Sequence, residues 1–506
     1  MSETFDKFQA IYRRILSFQK IGTLASWDLY TATPKQGFDG MSSTMTFASA
    51  EAFALSNSDE FYSLVQALNE PEEFDQLGEG MRYTVRHLRE ELEKSRRIPQ
   101  AFFEELVSLQ NQSMKAWTEA KQTSDFSLFA PYLEKLISMI TQKCAYTDPG
   151  KDTYEVLLDQ YEKGMDSATI DRVFEELKEG LLPLLKKILA APQPDSTAFE
   201  GFYDIPAQMK VQDLLLTYIG FSLDAGTTAV SEHPFTTGFS RNDVRITNHY
   251  YENNAISAMF SAIHEGGHGI FEQNVDPALE NTEADDCRYM GIHESQSRFF
   301  ENVLGRNKNF WIPIYEQIQT LLPEFKKHSL DEFCREINHV QNSMIRTEAD
   351  EVTYCLHIIL RYEMEQAIFR DHVPVHELPA LWNQKMQEYL QITPSCDAEG
   401  ILQDMHWSDG SFGYFPSYLL GSIYDGMFLE TLQQELGSIE ELLASGQIHT
   451  ITHWLNKNIH WYGSLREPKE VIRKVCKKEL SAKPLLDYFT EKYTKIYHLS
   501  YSNSAK

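Results

Sequence analysis

Ile263-His264-Glu265-Gly266-Gly267-His268-Gly269-Ile270 is the stretch on which the reading of this chain turns. On an α-helix, residues four apart lie one turn apart on the same face, so His264 and His268 can offer imidazole nitrogens to one ion. Glu265 stands beside them, where a carboxylate can take a proton from a water that the ion has activated. Zinc suits such a set because it binds imidazole and carboxylate tightly and lowers the pKa of a bound water to about 7. Outward from the motif, Ile256, Phe260, Ile263, Ile270 and Phe271 recur at helical spacing. That pattern predicts a largely buried amphipathic helix from about Asn253 to Gln273. The ordinary alternative, two histidines on a solvated face, does not account for these flanks. Nor does it account for Gly266 and Gly267, each of which costs about 0.5–1 kcal/mol against alanine inside a helix.

A catalytic zinc takes three protein ligands and a water, so a third ligand must be found. Glu272 lies four residues past His268 but eight past His264, about 12 Å of helix rise, so one ion cannot reach both. The third ligand therefore comes from another element. The stretch from Asp285 to Phe300 reads as the next helix, and Glu294, 26 residues beyond His268, leaves room for a turn and an antiparallel return. Glu280, Glu283, Glu301 and His293 are competitors that spacing alone does not separate from it. A His-His-Glu set with the adjacent Glu265 is the HExxH arrangement suited to peptide hydrolysis.

Helical patterning dominates the rest of the 506 residues. Phe5, Phe8, Tyr12 and Ile15 mark one apolar stripe and Leu88 and Leu92 another. Ile170, Phe174, Leu177, Leu181 and Leu185 make a third. The region from Glu336 to Arg370 reads as one long helix carrying Arg346. Strand-like alternation is confined mainly to Phe235–Tyr251, where Val244 and Ile246 predict a small sheet beside the motif helix. Such a strand can align an extended peptide by sheet addition. No solenoid repeat is present. The one loose stretch, Ala191-Pro192-Gln193-Pro194-Asp195-Ser196-Thr197, is a short connection between helices. The fold class is mostly α with a minor β element, and residues 1–506 read as one unit.

The balance of 46 basic against 74 acidic residues, net −28, argues against nucleic acid and anionic membrane surfaces as partners. The six cysteines (Cys144, Cys287, Cys334, Cys355, Cys396, Cys476) are scattered without a CxxC pair and read as reduced residues of a cytoplasmic protein. The start, Met1 to Lys7, carries neither a basic leader nor an apolar run. No stretch approaches the roughly 18 apolar residues that would span a membrane.

Five blocks in order carry a resemblance. They are Asp243-Val244-Arg245-Ile246-Thr247 (DxRxT), His264 to His268 (HExxH) and His293-Glu294-Ser295-Gln296-Ser297 (HESxQ-like). Ile345-Arg346-Thr347-Glu348-Ala349-Asp350 (IRxxAD) and Gly400-Ile401-Leu402-Gln403-Asp404-Met405-His406-Trp407 (GxxQDxHW) follow. Gly413-Tyr414-Phe415-Pro416-Ser417-Tyr418-Leu419-Leu420-Gly421 and an early Trp27-Asp28 with Pro34 and Gly37 extend the match over most of the chain. The chain resembles the thermostable (Taq-type) zinc metallocarboxypeptidases.

The resemblance implies a gluzincin-like helical metallopeptidase, two helical lobes around a deep active-site groove with a small β-sheet beside it. It implies one zinc per chain, with cobalt or manganese as substitutes, peptide substrates shortened from the C-terminus one residue at a time, and a homodimer. His264, His268 and Glu294 would hold the metal and Glu265 would be the general base. His406 with Tyr414 or Tyr418 would stabilise the oxyanion; the packing alternative is a His406–Trp407 stack in a helical core. The substrate's terminal carboxylate calls for a guanidinium fork, for which Arg346 is the first choice and Arg245 the second. Structural pairs, Arg346 with Asp350 or Arg245 with Asp243, are the alternatives. A related zinc endopeptidase or dipeptidyl carboxypeptidase, and a silent helical scaffold, are the competing functions.

Overall fold

The motif helix runs Ala255–Gln273, started by Asn254, whose side chain accepts from the Ser257 N–H at 3.1 Å. The computed structural model describes residues 2–194 and 199–499, so Asp195-Ser196-Thr197 of the Pro-bearing connection lie outside the described residues. The motif helix is buried on nearly every side rather than along one stripe, as expected of a helix at the centre of a large core. Its glycines have a packing reason. A Cβ on Gly267 would stand 2.7 Å from the Gln296 carbonyl oxygen and 2.8 Å from the Ser297 Cα, and one on Gly266 would meet Ile219 at 2.6 Å. The helix carrying Glu294, Met290–Arg298, is flanked on another side by Gly421, where a Cβ would lie 3.0 Å from the Ser295 nitrogen. Helix backbones thus approach Glu294 more closely than side chains would allow. Gly267→Ala is expected to cost about 1–3 kcal/mol of stability, read as a lowered melting temperature. An unchanged melting curve would show that these two helices can part freely.

That second helix is shorter than the sequence implied. Asp285–Tyr289 precede it rather than belong to it, because their backbone groups are engaged elsewhere, as in the Arg288 N–H donating to Ser464 Oγ at 3.0 Å. From Phe299 to Gly305 the chain continues as a π-helix, a form frequent at functional sites.

Three strands make the sheet: β1 Gly226–Val230, β2 Thr236–Ser240 and β3 Asp243–Asn248, in the order β1-β3-β2. β3 is central, parallel to β1 and antiparallel to β2, with Thr236 opposite Ile246 and Gly226 opposite Val244. β2 and β3 fall in the expected stretch. β1 lies before it, and its half-buried Gly-Thr-Thr-Ala-Val carries little alternation to reveal it.

The expected long helix from Glu336 to Arg370 does not form. One helix ends at Glu336, Arg346–Glu348 is a 3₁₀ turn, and a new helix runs Glu351–Phe369. Asp350 starts the latter, its carboxylate accepting from the Val352 and Thr353 N–H groups at 3.0 Å each, which is why the chain breaks there. Arg346 therefore sits on a turn ahead of the helix, not on it.

Elsewhere the predicted stripes are core. Ile170, Phe174, Leu177, Leu181 and Leu185 are buried in Ser167–Leu189 and belong to the large apolar cluster that surrounds the motif helix. Phe5, Phe8, Tyr12 and Ile15 of Glu3–Thr31 form a second, smaller cluster with residues that include Leu92, against which Leu88 packs half-buried. The first helix also reaches the sheet, where Trp27 meets Phe235 edge-on at 5.6 Å. No helix of the described residues is long and apolar enough to cross a membrane.

Candidate active site

Where the motif helix meets the Glu294 helix, three donors converge. His264 Nε2 lies 3.9 Å and His268 Nε2 3.7 Å from Glu294 Oε2, and the ligand atoms of the three residues all lie within 4.8 Å of one another. Donors bound to one tetrahedral ion at about 2.0–2.2 Å stand roughly 3.3–3.6 Å apart. The two distances to Glu294 need only a small contraction to reach that range, and two imidazoles with one carboxylate are the donor types zinc takes in catalytic sites. Among the described residues no other His, Cys, Asp and Glu group meets that spacing.

The competitors lie elsewhere. Glu301, brought round by the π-helix, accepts from His264 Nδ1 at 2.8 Å, behind the ring. His293 also lines the cavity beside these donors, but its Nδ1 is set against His268 Nδ1 at 2.6 Å and it is not among the three that converge. Glu283 is paired with Arg288 at 2.6 Å, and Glu280 is exposed. Burial alone would raise Glu301, but the hydrogen bond to His264 and the nearby Arg306 and Arg298 lower its carboxyl instead. Glu294 is steadied through its other oxygen by Arg298 Nε at 2.6 Å.

Glu265 is 7% exposed. Burial lifts its carboxyl above the usual range, partly opposed by His264 and by Thr236. The Thr236 hydroxyl on edge strand β2 donates to Glu265 Oε2 at 2.7 Å. Thr236 went unnoticed in the sequence, where one threonine among several in a strand carries no signal. A cavity of about 300 Å³ opens here, lined among others by Thr236, Glu265, His268, Glu294, Tyr414 and Tyr418.

Tyr414 and Tyr418 thus face the cavity, and His406 stands behind them. Its Nε2 lies 3.3 Å from the Tyr418 hydroxyl and its ring packs on Phe415 at 4.6 Å. Burial pushes its pKa down to about 4, so the ring is neutral at pH 7. The alternative of a His406–Trp407 stack is not what forms, because Trp407 donates its Nε1–H to Glu365 at 3.0 Å.

Arg346 is buried, with Nη2 2.8 Å from Asp404 Oδ1, Nη1 donating to the Tyr354 hydroxyl at 3.2 Å and its guanidinium 5.2 Å from the Tyr418 ring centre. The expected alternative partner, Asp350, is occupied as a helix cap. Asp404 also takes Arg361 at 2.6 Å, so two guanidiniums share one carboxylate and a net positive charge remains beside the cavity wall. Arg245 instead forms the structural pair, Nε and Nη2 both donating to Asp243 at 2.9 Å. Asp404 and Arg361 were not singled out in the sequence; Asp404 lies in a quoted block, but only the fold brings it to Arg346.

The sequence profile described as "Carboxypeptidase Taq (M32) metallopeptidase" matches residues 7–493. The chain is 42% identical over 499 residues to "Carboxypeptidase 1" of Bacillus subtilis strain 168, covering 98% of this chain and 99% of that protein. To "Thermostable carboxypeptidase 1" of Thermus thermophilus it is 34% identical, over 97% of this chain and 99% of that one. Among solved structures, the M32 carboxypeptidase from Deinococcus radiodurans R1 superposes with a TM-score of 0.94 at 28% identity, covering 98% of this chain and 100% of that one.

Proposed function

The chain belongs to the carboxypeptidase Taq (M32) metallopeptidase family, and from that premise we propose that His264, His268 and Glu294 hold its metal and Glu265 is its base. The protein is a metallocarboxypeptidase that hydrolyses the C-terminal peptide bond of peptides. The observation that carries the site assignment is the convergence of the three donor atoms within 4.8 Å, with Glu265 next in the chain.

Zinc held there would polarise the scissile carbonyl and lower the pKa of water to about 7. The remaining work falls to the side chains. Glu265, oriented by Thr236, accepts the water's proton and delivers it to the leaving amine. The raised affinity of its buried carboxyl for protons suits that exchange. Tyr418 donates to the developing oxyanion, and neutral His406 behind it fixes the hydroxyl. Arg346, clamped by Asp404, takes the substrate's terminal carboxylate, and the free edge of β2 aligns the extended peptide.

The finer readings are zinc as the native metal, one per chain, a homodimer, a cytoplasmic location and the whole chain as one catalytic unit with two lobes around the groove. The family resemblance supports the metal and the dimer. Six unpaired cysteines, five of them buried, support a reducing compartment.

Mass spectrometry of peptide digests tests the reading. Stepwise loss of single C-terminal residues, abolished by chelator and restored by zinc, is expected; internal cuts or dipeptide release would replace it. His406→Ala is expected to lower kcat by about 10²-fold with zinc content kept, and Tyr418→Phe to do likewise. Near-parental kcat in both variants would assign the pair to packing.

A further inference from the structure

A histidine that binds a metal through Nε2 keeps its proton on Nδ1, and that N–H needs an acceptor to hold the ring. The two motif histidines meet this need differently. His264 has a carboxylate, Glu301 Oε2, at 2.8 Å. His268 has another imidazole: its Nδ1 lies 2.6 Å from His293 Nδ1, with the ring centres 4.5 Å apart.

Two Nδ1 atoms at that distance share one proton. If His268 carries it, His293 Nδ1 must be bare and the proton of the neutral His293 ring must sit on Nε2. That nitrogen faces a carboxylate, Glu272 Oε1, at 3.4 Å. The chain His268–His293–Glu272 is therefore consistent in one sense only, with the His268 N–H directed at His293 Nδ1 and His293 Nε2 on the side of the Glu272 carboxylate. Glu272 itself occupies space that β2 keeps clear. A Cβ on Gly238 would fall 1.8 Å from Glu272 Oε2, so the glycine in the edge strand leaves room for the carboxylate.

We propose that His293 is a positioning residue, which with Glu272 behind it orients the metal-facing nitrogen of His268, as Glu301 does for His264. The assignment rests on His268 being a metal ligand. It gives Glu272, which is too far from His264 to share an ion with it, a place in the site at one remove. It also explains why a histidine immediately before Glu294 is not itself a ligand: its Nδ1 is committed to the back of His268.

The test is zinc affinity of the holoenzyme, measured by competition with a chelator of known affinity, alongside the melting temperature of the metal-free protein. Asparagine places Oδ1 where histidine has Nδ1, so His293→Asn keeps the acceptor and His293→Leu removes it. His293→Leu is expected to weaken zinc binding by about 10–100-fold, with the metal-free melting temperature near the parent's. His293→Asn is expected to restore affinity to within about threefold of the parent, within the context dependence of such contacts. The visible spectrum of the cobalt-substituted protein should shift in His293→Leu and return in His293→Asn. If His293→Leu does not fold, His293→Gln, which moves the acceptor away from the Nδ1 position, takes its place. Parental affinity in the variant lacking the acceptor, or an equal loss in His293→Asn, would overturn the proposal, and complete loss of zinc in His293→Leu would make His293 a direct ligand instead. Zinc retained by His268→Ala would refute the underlying ligand assignment; zinc lost there but unaffected in His293→Leu would refute this inference alone.

Discussion

Glu265→Gln is expected to bind zinc as tightly as the parent and to lose about 10³–10⁴-fold in kcat, the upper part of the range for removing a general base. Glutamine has nearly the shape of glutamate and can still accept the Thr236 hydroxyl at the position now held by Oε2. The converging donors are His264, His268 and Glu294, so the substitution touches the site's proton transfer and not its metal. Unfolding cannot masquerade as this loss. Glu265 is buried and desolvation raises its carboxyl above the usual range, so in the metal-free protein a neutral amide relieves a cost of burying charge and should leave the melting temperature unchanged or higher. Zinc content by elemental analysis and turnover on a free-acid peptide check it together. Glu294→Ala is the contrast, expected to lose both metal and activity. A Glu265→Gln enzyme within tenfold of parental turnover would move the base elsewhere in the cavity.

The second large effect concerns the end of the substrate. C-terminally amidated peptides are expected to be cut about 10–100-fold more slowly than free acids, because an amide cannot pair the positive charge left over from Arg346, Arg361 and Asp404. A charge-assisted hydrogen bond of this kind contributes about 1.5–3 kcal/mol, and about 1.4 kcal/mol is tenfold. Arg346→Ala should remove most of that discrimination. The fold should survive, since Asp404 keeps Arg361 at 2.6 Å and is not left as an unpaired buried charge. Arg245→Ala should change discrimination little, because Arg245 and Asp243 form a one-to-one pair with no charge left over, whereas Arg346 shares Asp404 with Arg361. The ratio of kcat/KM for matched acid and amide peptides decides between them. Equal rates on both in the parent would remove Arg346 as the carboxylate anchor, and a collapse seen only in Arg245→Ala would transfer the role.

What was legible in the linear chain is what repeats or recurs locally. The spacing of His264 and His268, the apolar flanks and the amphipathic stripes lie within single helices, where geometry follows from one residue to the next at 3.6 residues per turn. The Taq-type resemblance was legible too, because its blocks are short and ordered. Contacts between elements were not. Glu294 stood among five plausible donors until Gly267 and Gly421 allowed the neighbouring backbones to bring its helix against the motif helix. Arg346 read as helical because its surroundings are helical, yet the Asp350 cap breaks the chain there and Asp404, 58 residues further along, becomes its partner. Thr236 on Glu265, Glu301 behind His264 and His293 behind His268 are likewise matters of which side chains meet across an interface. A local pattern is set by the backbone's own period and can be read from the chain, whereas an encounter between distant residues depends on how whole elements pack, and the tertiary structure alone decided it.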